Sequence, residues 1–208
     1  MEEKIVVNNG NIKRIVNSEI ERLGYKADLN HIDVSGVTNM NSLFEGSDFN
    51  GDISNWNVSN VKSMDFMFEN SKFNGDISNW DVSNVKSVFR MFSNTPFNQD
   101  IGNWNVGNVE DMTLMFENSQ FNQDISNWDV GNVRDMYWMF ENSPFDKNID
   151  MWNYNFKLAE EEPLNFALKT KGSYTLIEKY VKALQSKKFD LAEKIKFKMK
   201  GIRFNYRY

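Results

Sequence analysis

The chain has 208 residues, 40% hydrophobic and 14% aromatic, enough for one packed domain with a small appendage and too apolar for wholesale disorder. It has no cysteine, which excludes a disulfide framework, thiolate metal sites and a cysteine nucleophile. The net charge of −5 divides unevenly: residues 1–163 hold 12 Lys+Arg against 26 Asp+Glu, residues 164–208 hold 12 against 3, and such a contrast implies two parts with different tasks.

The opening "MEEKIVVNNGNIKRIV" carries two acids and no apolar run, so no secretory signal is expected, and no membrane span is expected anywhere in the chain. In "NIKRIVNSEIERLG", Ile12, Ile15, Val16, Ile20 and Leu23 fall on one helical face and Gly24 closes the segment. Residues 1–24 therefore read as a helical N-terminal cap.

From Tyr25 the sequence repeats. Trp56, Trp80, Trp104, Trp128 and Trp152 recur every 24 residues, as do Phe49, Phe73, Phe97, Phe121 and Phe145. Backwards, the frame places Tyr25 at the Phe position and Ile32 at the Trp position; forwards it runs out at Phe156. Residues 25–156 thus hold about five and a half units, each a supersecondary coil that buries its apolar face on its neighbours. Within a unit, "DISNWDV" suits a short strand. "SNVKSM..MF" suits a short helix, with Val61, Met64, Met67 and Phe68 on one side. "ENSKFNG" suits a turn. The expected fold is an α/β repeat solenoid of right-handed coils, each a short strand plus a short helix, with helical caps at both ends.

Stacking such coils aligns identical residues in columns. Asn60, Asn84, Asn108 and Asn132 form one; Asn70, Asn94, Asn118 and Asn142 form another, each amide able to satisfy buried turn backbone. Asp28, Asp52, Asp76, Asp100 and Asp124 form an acidic column ending in Asn148. These carboxylates either bind calcium or cap their local turns. One acid per unit, without a Gly-rich, multi-oxygen loop, favours the cap, and no metal is assigned.

Two positions per unit vary freely: Asp65-Phe66, Phe89-Arg90, Thr113-Leu114 and Tyr137-Trp138. Their aromatic and arginine content matches interface hot spots. Phe66, Phe89, Arg90, Leu114, Tyr137 and Trp138 are accordingly the candidate partner-binding residues, expected on the outer, helical side. Either they form an exposed stripe or they pack laterally between coils.

Beyond the repeat, residues 157–208 read as a basic helical cap. Pro163 starts a helix that Gly172 stops; Ser173 caps a second; Asp190 caps a third ending at Gly201. The last two form a hairpin similar to the small UVR-type hairpin, a resemblance that implies protein–protein contact. Tyr206 and Tyr208 beside Arg203 and Arg207 suit stacking on bases, which makes nucleic acid an alternative partner.

Chemistry is sparse. His31, the one histidine, stands where later units have Asn55, Asn79, Asn103 and Asn127. No phosphate-binding glycine loop, metalloprotease motif or catalytic triad can be assembled, so neither an enzyme nor a cofactor is expected.

The repeat "FNGDISNWDVSNVKSM..MF" resembles that of the BspA-like leucine-rich-repeat surface proteins, the DUF285 or mycoplasma-lipoprotein repeat, across roughly residues 25–156. The resemblance implies a leucine-rich-repeat-like solenoid that binds proteins or cell surfaces and has no known enzymatic activity, in a family met in bacteria, bacteriophages and large viruses. The expected role is a non-enzymatic protein-interaction or scaffolding module, cytoplasmic or virion-associated, with a protein partner and no membrane contact. A surface or host-recognition adhesin, and a nucleic-acid-associated protein acting through the basic tail, are the alternatives.

Overall fold

Backbone hydrogen bonds that leap one repeat organise the chain. In the computed structural model, which describes residues 4–168 and 176–205, the N–H groups of Met64, Phe66, Phe68 and Asn70 donate to the carbonyls of Ser87, Phe89, Met91 and Ser93 at 3.1, 2.8, 3.0 and 3.0 Å. The same bonds recur one unit on, from Val88, Arg90, Phe92 and Asn94 to Asp111, Thr113, Met115 and Glu117. Parallel bridges mark the column Asn39, Ser63, Ser87, Asp111 and Asp135. Each 24-residue unit is one coil lying on the next.

The local structure of a coil differs from the expected strand and helix. "DISNWDV" does not form a strand; one isolated bridge joins Asp28 to Asp52 between the first two units, and the later units have none at this position. The cause lies in the Asx side chains. Asp52 Oδ1 accepts from Ser54 N, Asp76 from Ser78 N and Asp124 from Ser126 N, at 2.8, 2.9 and 2.9 Å, and these local bonds compete with a ladder. "SNVKSM..MF" is not a helix either. Overlapping turns close from Met67 N to Met64 O, Glu69 N to Phe66 O and Ser71 N to Phe68 O. Phe66 and Asn70 adopt left-handed φ of 58° and 57°. Left-handed residues break a right-handed helix and turn alternate N–H groups toward the next coil.

The core runs through the stack as continuous spines. Phe44, Phe68, Phe92, Phe116 and Phe140 stack with centroids 5.3, 5.5, 5.7 and 5.8 Å apart. Phe49, Phe73, Phe97, Phe121 and Phe145 run beside them at 6.3, 6.4, 6.3 and 6.2 Å. All ten rings are buried, and each stacked pair adds about 0.5–1.5 kcal/mol beyond its area burial. The tryptophans form the third spine. Trp80, Trp104 and Trp128 donate Nε1–H to Ile53, Ile77 and Ile101 carbonyls in the preceding coil, each at 3.1 Å. Val88, standing where other units have Met, is buried like them. The Phe spine begins at Phe49 and not at Tyr25, which is exposed at the mouth of the stack.

The amide columns divide their work. Asn60, Asn84, Asn108 and Asn132 donate to carbonyls of Ser35, Ser59, Ser83 and Gly107 in the preceding coil. Asn70, Asn94, Asn118 and Asn142 lie on the surface and serve the backbone by accepting left-handed φ, where Asn is favoured; Asn94 Nδ2 also donates to the buried Ser93 Oγ, and Asn142 Nδ2 to Asn118 Oδ1.

Both ends are closed. Helix α1 (Ile12–Leu23) buries Ile12, Val16 and Ile20 on the first coil, while Leu23 is exposed. Strand β1 (Ile5–Val6), not foreseen in the sequence, pairs in parallel with β2 (Ile32–Asp33). Asn9 Oδ1 accepts from Thr38 N and Asn39 N, standing in for the carbonyls of a missing coil. At the other end Asn165, Ala167 and Leu168 offer carbonyls to Met136, Trp138 and Phe140 N–H at 2.7, 2.7 and 3.0 Å.

The C-terminal elements also differ from the sequence reading. Asn155 caps an additional helix α2 (Phe156–Glu161), and Pro163 starts a single 3-10 turn ending at Phe166 in place of a longer helix. Gly172 and Ser173 lie outside the described residues. Helices α3 (Leu176–Gln185) and α4 (Phe189–Asn205) form the expected hairpin. Lys187 at φ 54° makes the bend, with Lys188 N bonding to Ala183 O and Lys187 N to Leu184 O. α4 starts one residue before Asp190, which sits inside the first turn, and it continues through Gly201, since a single glycine lowers helix propensity by only about 1 kcal/mol.

Candidate functional site

The variable pairs lie along the run of inter-coil hydrogen bonds. Phe66 N bonds to Phe89 O, Arg90 N to Thr113 O, and Leu114 N to Tyr137 O, at 2.8, 3.0 and 3.0 Å. The expected outer, helical position is thereby corrected: the pairs form a stripe on the bridged face of the stack, because the segment carrying them is not helical. All six candidate residues are half-buried. The stripe is a packed surface with exposed edges, intermediate between the two arrangements considered.

Lateral packing accounts for part of that burial. Phe66 meets Phe89 edge-on at 4.9 Å, and Tyr137 stacks on Trp138 at 4.5 Å. Arg90 is held by two acids: Nη1 lies 2.5 Å from Glu69 Oε1 and Nη2 3.1 Å from Glu117 Oε2. Glu69 is buried, so removing Arg90 would leave its carboxylate uncompensated. Arg90 is therefore a structural cation as well as a member of the stripe.

The second residue of every pair carries an unusual backbone. Ser42, Phe66, Arg90, Leu114 and Trp138 have φ of 54°, 58°, 53°, 57° and 51°. A bulky residue in the left-handed region costs about 1–2 kcal/mol relative to ordinary backbone. The other left-handed column of the same coils uses Gly46 and then asparagine, at Asn70, Asn94, Asn118 and Asn142. Large side chains thus occupy the stripe column against a backbone preference that the neighbouring column respects.

Carboxylates flank this stripe: Asp65, a member of the first variable pair, and Asp111 and Asp135, which the sequence reading did not single out. Asp65, Asp111 and Asp135 stand at the bridge column and beside it; Asp111 Oδ1 accepts from Thr113 N at 2.8 Å and Asp135 Oδ1 from Tyr137 N at 2.9 Å. Among the described residues no lysine or arginine pairs with any of the three. Partial burial raises the Asp111 pKa, and the charges of Asp135 and Asp65 push it further up. The available signal was the change from Ser63 and Ser87 to Asp111 and Asp135 in one frame position.

The remaining polar groups have structural partners. His31 Nε2 lies 2.9 Å from Oε2 of the buried Glu19, which Arg22 also binds; the Arg22 hydrogen bond is the main cause of the lowered Glu19 pKa. Asp28, Asp100 and Asn148 make the same Asx bonds as their column mates, and for Asp52 and Asp124 the backbone N–H bond is the main cause of a lowered pKa. Among the described residues no group of three or more acidic or histidine side chains is arranged to hold a metal ion. None of the described helices is long and apolar enough to cross a membrane. Of the residues suggested for base stacking, Tyr206, Arg207 and Tyr208 lie outside the described residues, while Arg203 falls within α4.

A family model described as "Mycoplasma protein of unknown function, DUF285" matches residues 12–120 and 94–171. No curated protein and no solved structure matches the chain significantly.

Proposed function

The chain belongs to the DUF285 family of Mycoplasma proteins of unknown function, and from that premise we propose that it is a non-enzymatic protein-docking module, a leucine-rich-repeat-like solenoid whose bridged face binds its partner. The observation that carries this reading is the left-handed column. Phe66, Leu114 and Trp138 keep large side chains where the backbone favours Asn or Gly. Strain retained at one column, while a neighbouring column is relieved in every coil, marks side chains kept for what they contact. The half-buried aromatics offer a partner rigid contact area at low entropic cost.

The test replaces Phe66 and Leu114 together by Asn. Relief of the backbone, about 1–2 kcal/mol per residue, offsets the loss of partly buried apolar surface, so the melting temperature should change little. Proteins captured from the native source by the wild-type chain should be lost from the double variant. An identical set of captured proteins would sink the proposal. A scaffolding role inside a cell or virion and an adhesin role both use the same surface; fractionation of the native source separates them.

A further inference from the structure

The bridged face is unevenly charged along the stack. Arg90 lies between Glu69 and Glu117, acids of the coils on either side, and pairs with both. In a neighbouring column Lys86 and Arg134 turn to Glu110, at 3.5 and 3.3 Å. Further along, residues 110–117 and 134–141 together hold five acids against the single cation Arg134. Two of these acids, Asp111 and Asp135, are partners in a parallel bridge between adjacent coils, which sets them about 4.8 Å apart along the stack. Among the described residues neither has a lysine or arginine partner.

The turn does not require those two charges. The bridge column runs Asn39, Ser63, Ser87, Asp111 and Asp135. Asn39 Oδ1 accepts from Asn41 N at 2.9 Å, and Asp111 and Asp135 make the same bond to Thr113 N and Tyr137 N at 2.8 and 2.9 Å. A neutral amide therefore performs in the first coil what the carboxylates perform in the later ones. Placing two negative charges on adjacent coils adds repulsion that the amide avoids. Beside them stand Leu114, Tyr137 and Trp138, all half-buried, with the Tyr137 and Trp138 rings stacked at 4.5 Å. Acid and apolar surface thus meet on one face, at the coils where the cations of the chain run out.

We propose that this part of the stripe binds a lysine- or arginine-bearing, apolar segment of a partner protein, with the cation set between Asp111 and Asp135. This rests on the reading of the stripe as a docking surface and gives the chemistry of its occupant. Arg90 between Glu69 and Glu117 is the same arrangement made within the chain: one cation joining acids of different coils. At Asp111 and Asp135 the cation comes from outside and removes their mutual repulsion, while apolar residues of the segment cover Leu114 and the exposed edges of the two rings. The charge of −14 on residues 1–163 draws such a segment toward the stack.

Fluorescence anisotropy of a labelled peptide alternating lysine with leucine, titrated with the full chain, tests the pairing. The peptide should bind at about 0.1 M salt, where the Debye length is about 10 Å, and at least tenfold more weakly at about 1 M, where it is about 3 Å. Asp111→Asn/Asp135→Asn should weaken binding by about tenfold without lowering the melting temperature. Asp76→Asn/Asp100→Asn removes the same charge from an exposed column and keeps the oxygens that accept from Ser78 N and Gly102 N; it should leave the affinity unchanged. Equal weakening by the two double variants would reduce the effect to attraction by an acidic body and overturns the proposal. So does a peptide with glutamate in place of lysine that binds as tightly, or a lysine peptide that does not bind at low salt. None of these outcomes touches the docking surface itself, which falls only if Phe66→Asn/Leu114→Asn keeps the proteins captured by the wild-type chain.

Discussion

At the scale of the residue, Asp111 shows how a repeat tolerates a local disadvantage. Its carboxylate is partly desolvated and faces Asp135 and Asp65, which raises its pKa from its ordinary value. A raised pKa means that its contribution is favourable below the unfolded value and is lost as pH rises through the folded one, so ionised Asp111 destabilises the fold at neutral pH. Asn at this position keeps the oxygen that accepts from Thr113 N. Asp111→Asn should therefore raise the melting temperature at pH 7, with the gain shrinking as pH falls below the folded pKa. A melting temperature lowered at pH 7 would refute this account. The opposite case is Phe116, fully buried and stacked on Phe92, Phe121 and Phe140. Phe116→Ala should cost about 3–5 kcal/mol in chemical denaturation, because the spine cannot close over the cavity.

At the scale of the element, the C-terminal cap is an assembly of weak parts joined by a few polar contacts. Tyr154 donates to Ile149 O at 2.9 Å inside the last coil, and Tyr180 donates to Glu160 Oε1 at 2.9 Å, joining α3 to α2. Burial is the main cause that raises both phenol pKa values. Their stabilisation is full below the unfolded value of about 10 and disappears as pH climbs through the folded ones. Helical circular dichroism followed to high pH should show the cap loosening above about pH 10, and Tyr180→Phe should leave only the Tyr154 part of that transition. The elements were unevenly legible in the sequence. α1 was readable because Ile12, Val16 and Ile20 repeat at helical spacing and Gly24 stops them. The turns of the coil were not, because Val61, Met64, Met67 and Phe68 have the same spacing whether an α-helix or a ribbon of turns presents them. The left-handed residue that decides between them is Asn70 in one column but Phe66 in the other, and a phenylalanine carries no such signal. For the stripe, variation located the pairs in the sequence, but the ties of Arg90 to Glu69 and Glu117 cross coils and have no local trace.

At the scale of the whole molecule, the period of the sequence reappears as the reach of its bonds: Trp104 Nε1 to Ile77 O spans 27 residues and Asn108 Nδ2 to Ser83 O spans 25. The inter-coil hydrogen bonds join neighbouring coils, so stability is approximately a sum of coil and interface terms. Deleting residues 97–120, one full unit, should leave a folded chain with a lower melting temperature, because Phe92 then meets Phe140 as it now meets Phe116. Deleting 12 residues should abolish cooperative unfolding, since it shifts every later column off the spine. The two ends stand outside this freedom. Asn9 accepts the N–H groups of Thr38 and Asn39, and Asn165, Ala167 and Leu168 present carbonyls to the last complete coil. A stack of identical coils with open ends would be a template on which further chains could grow without limit, as in a cross-β fibril. The side chain of Asn9 and the stretch after Pro163 act as terminators of the stack, and its length is set by how many interchangeable coils lie between two stops.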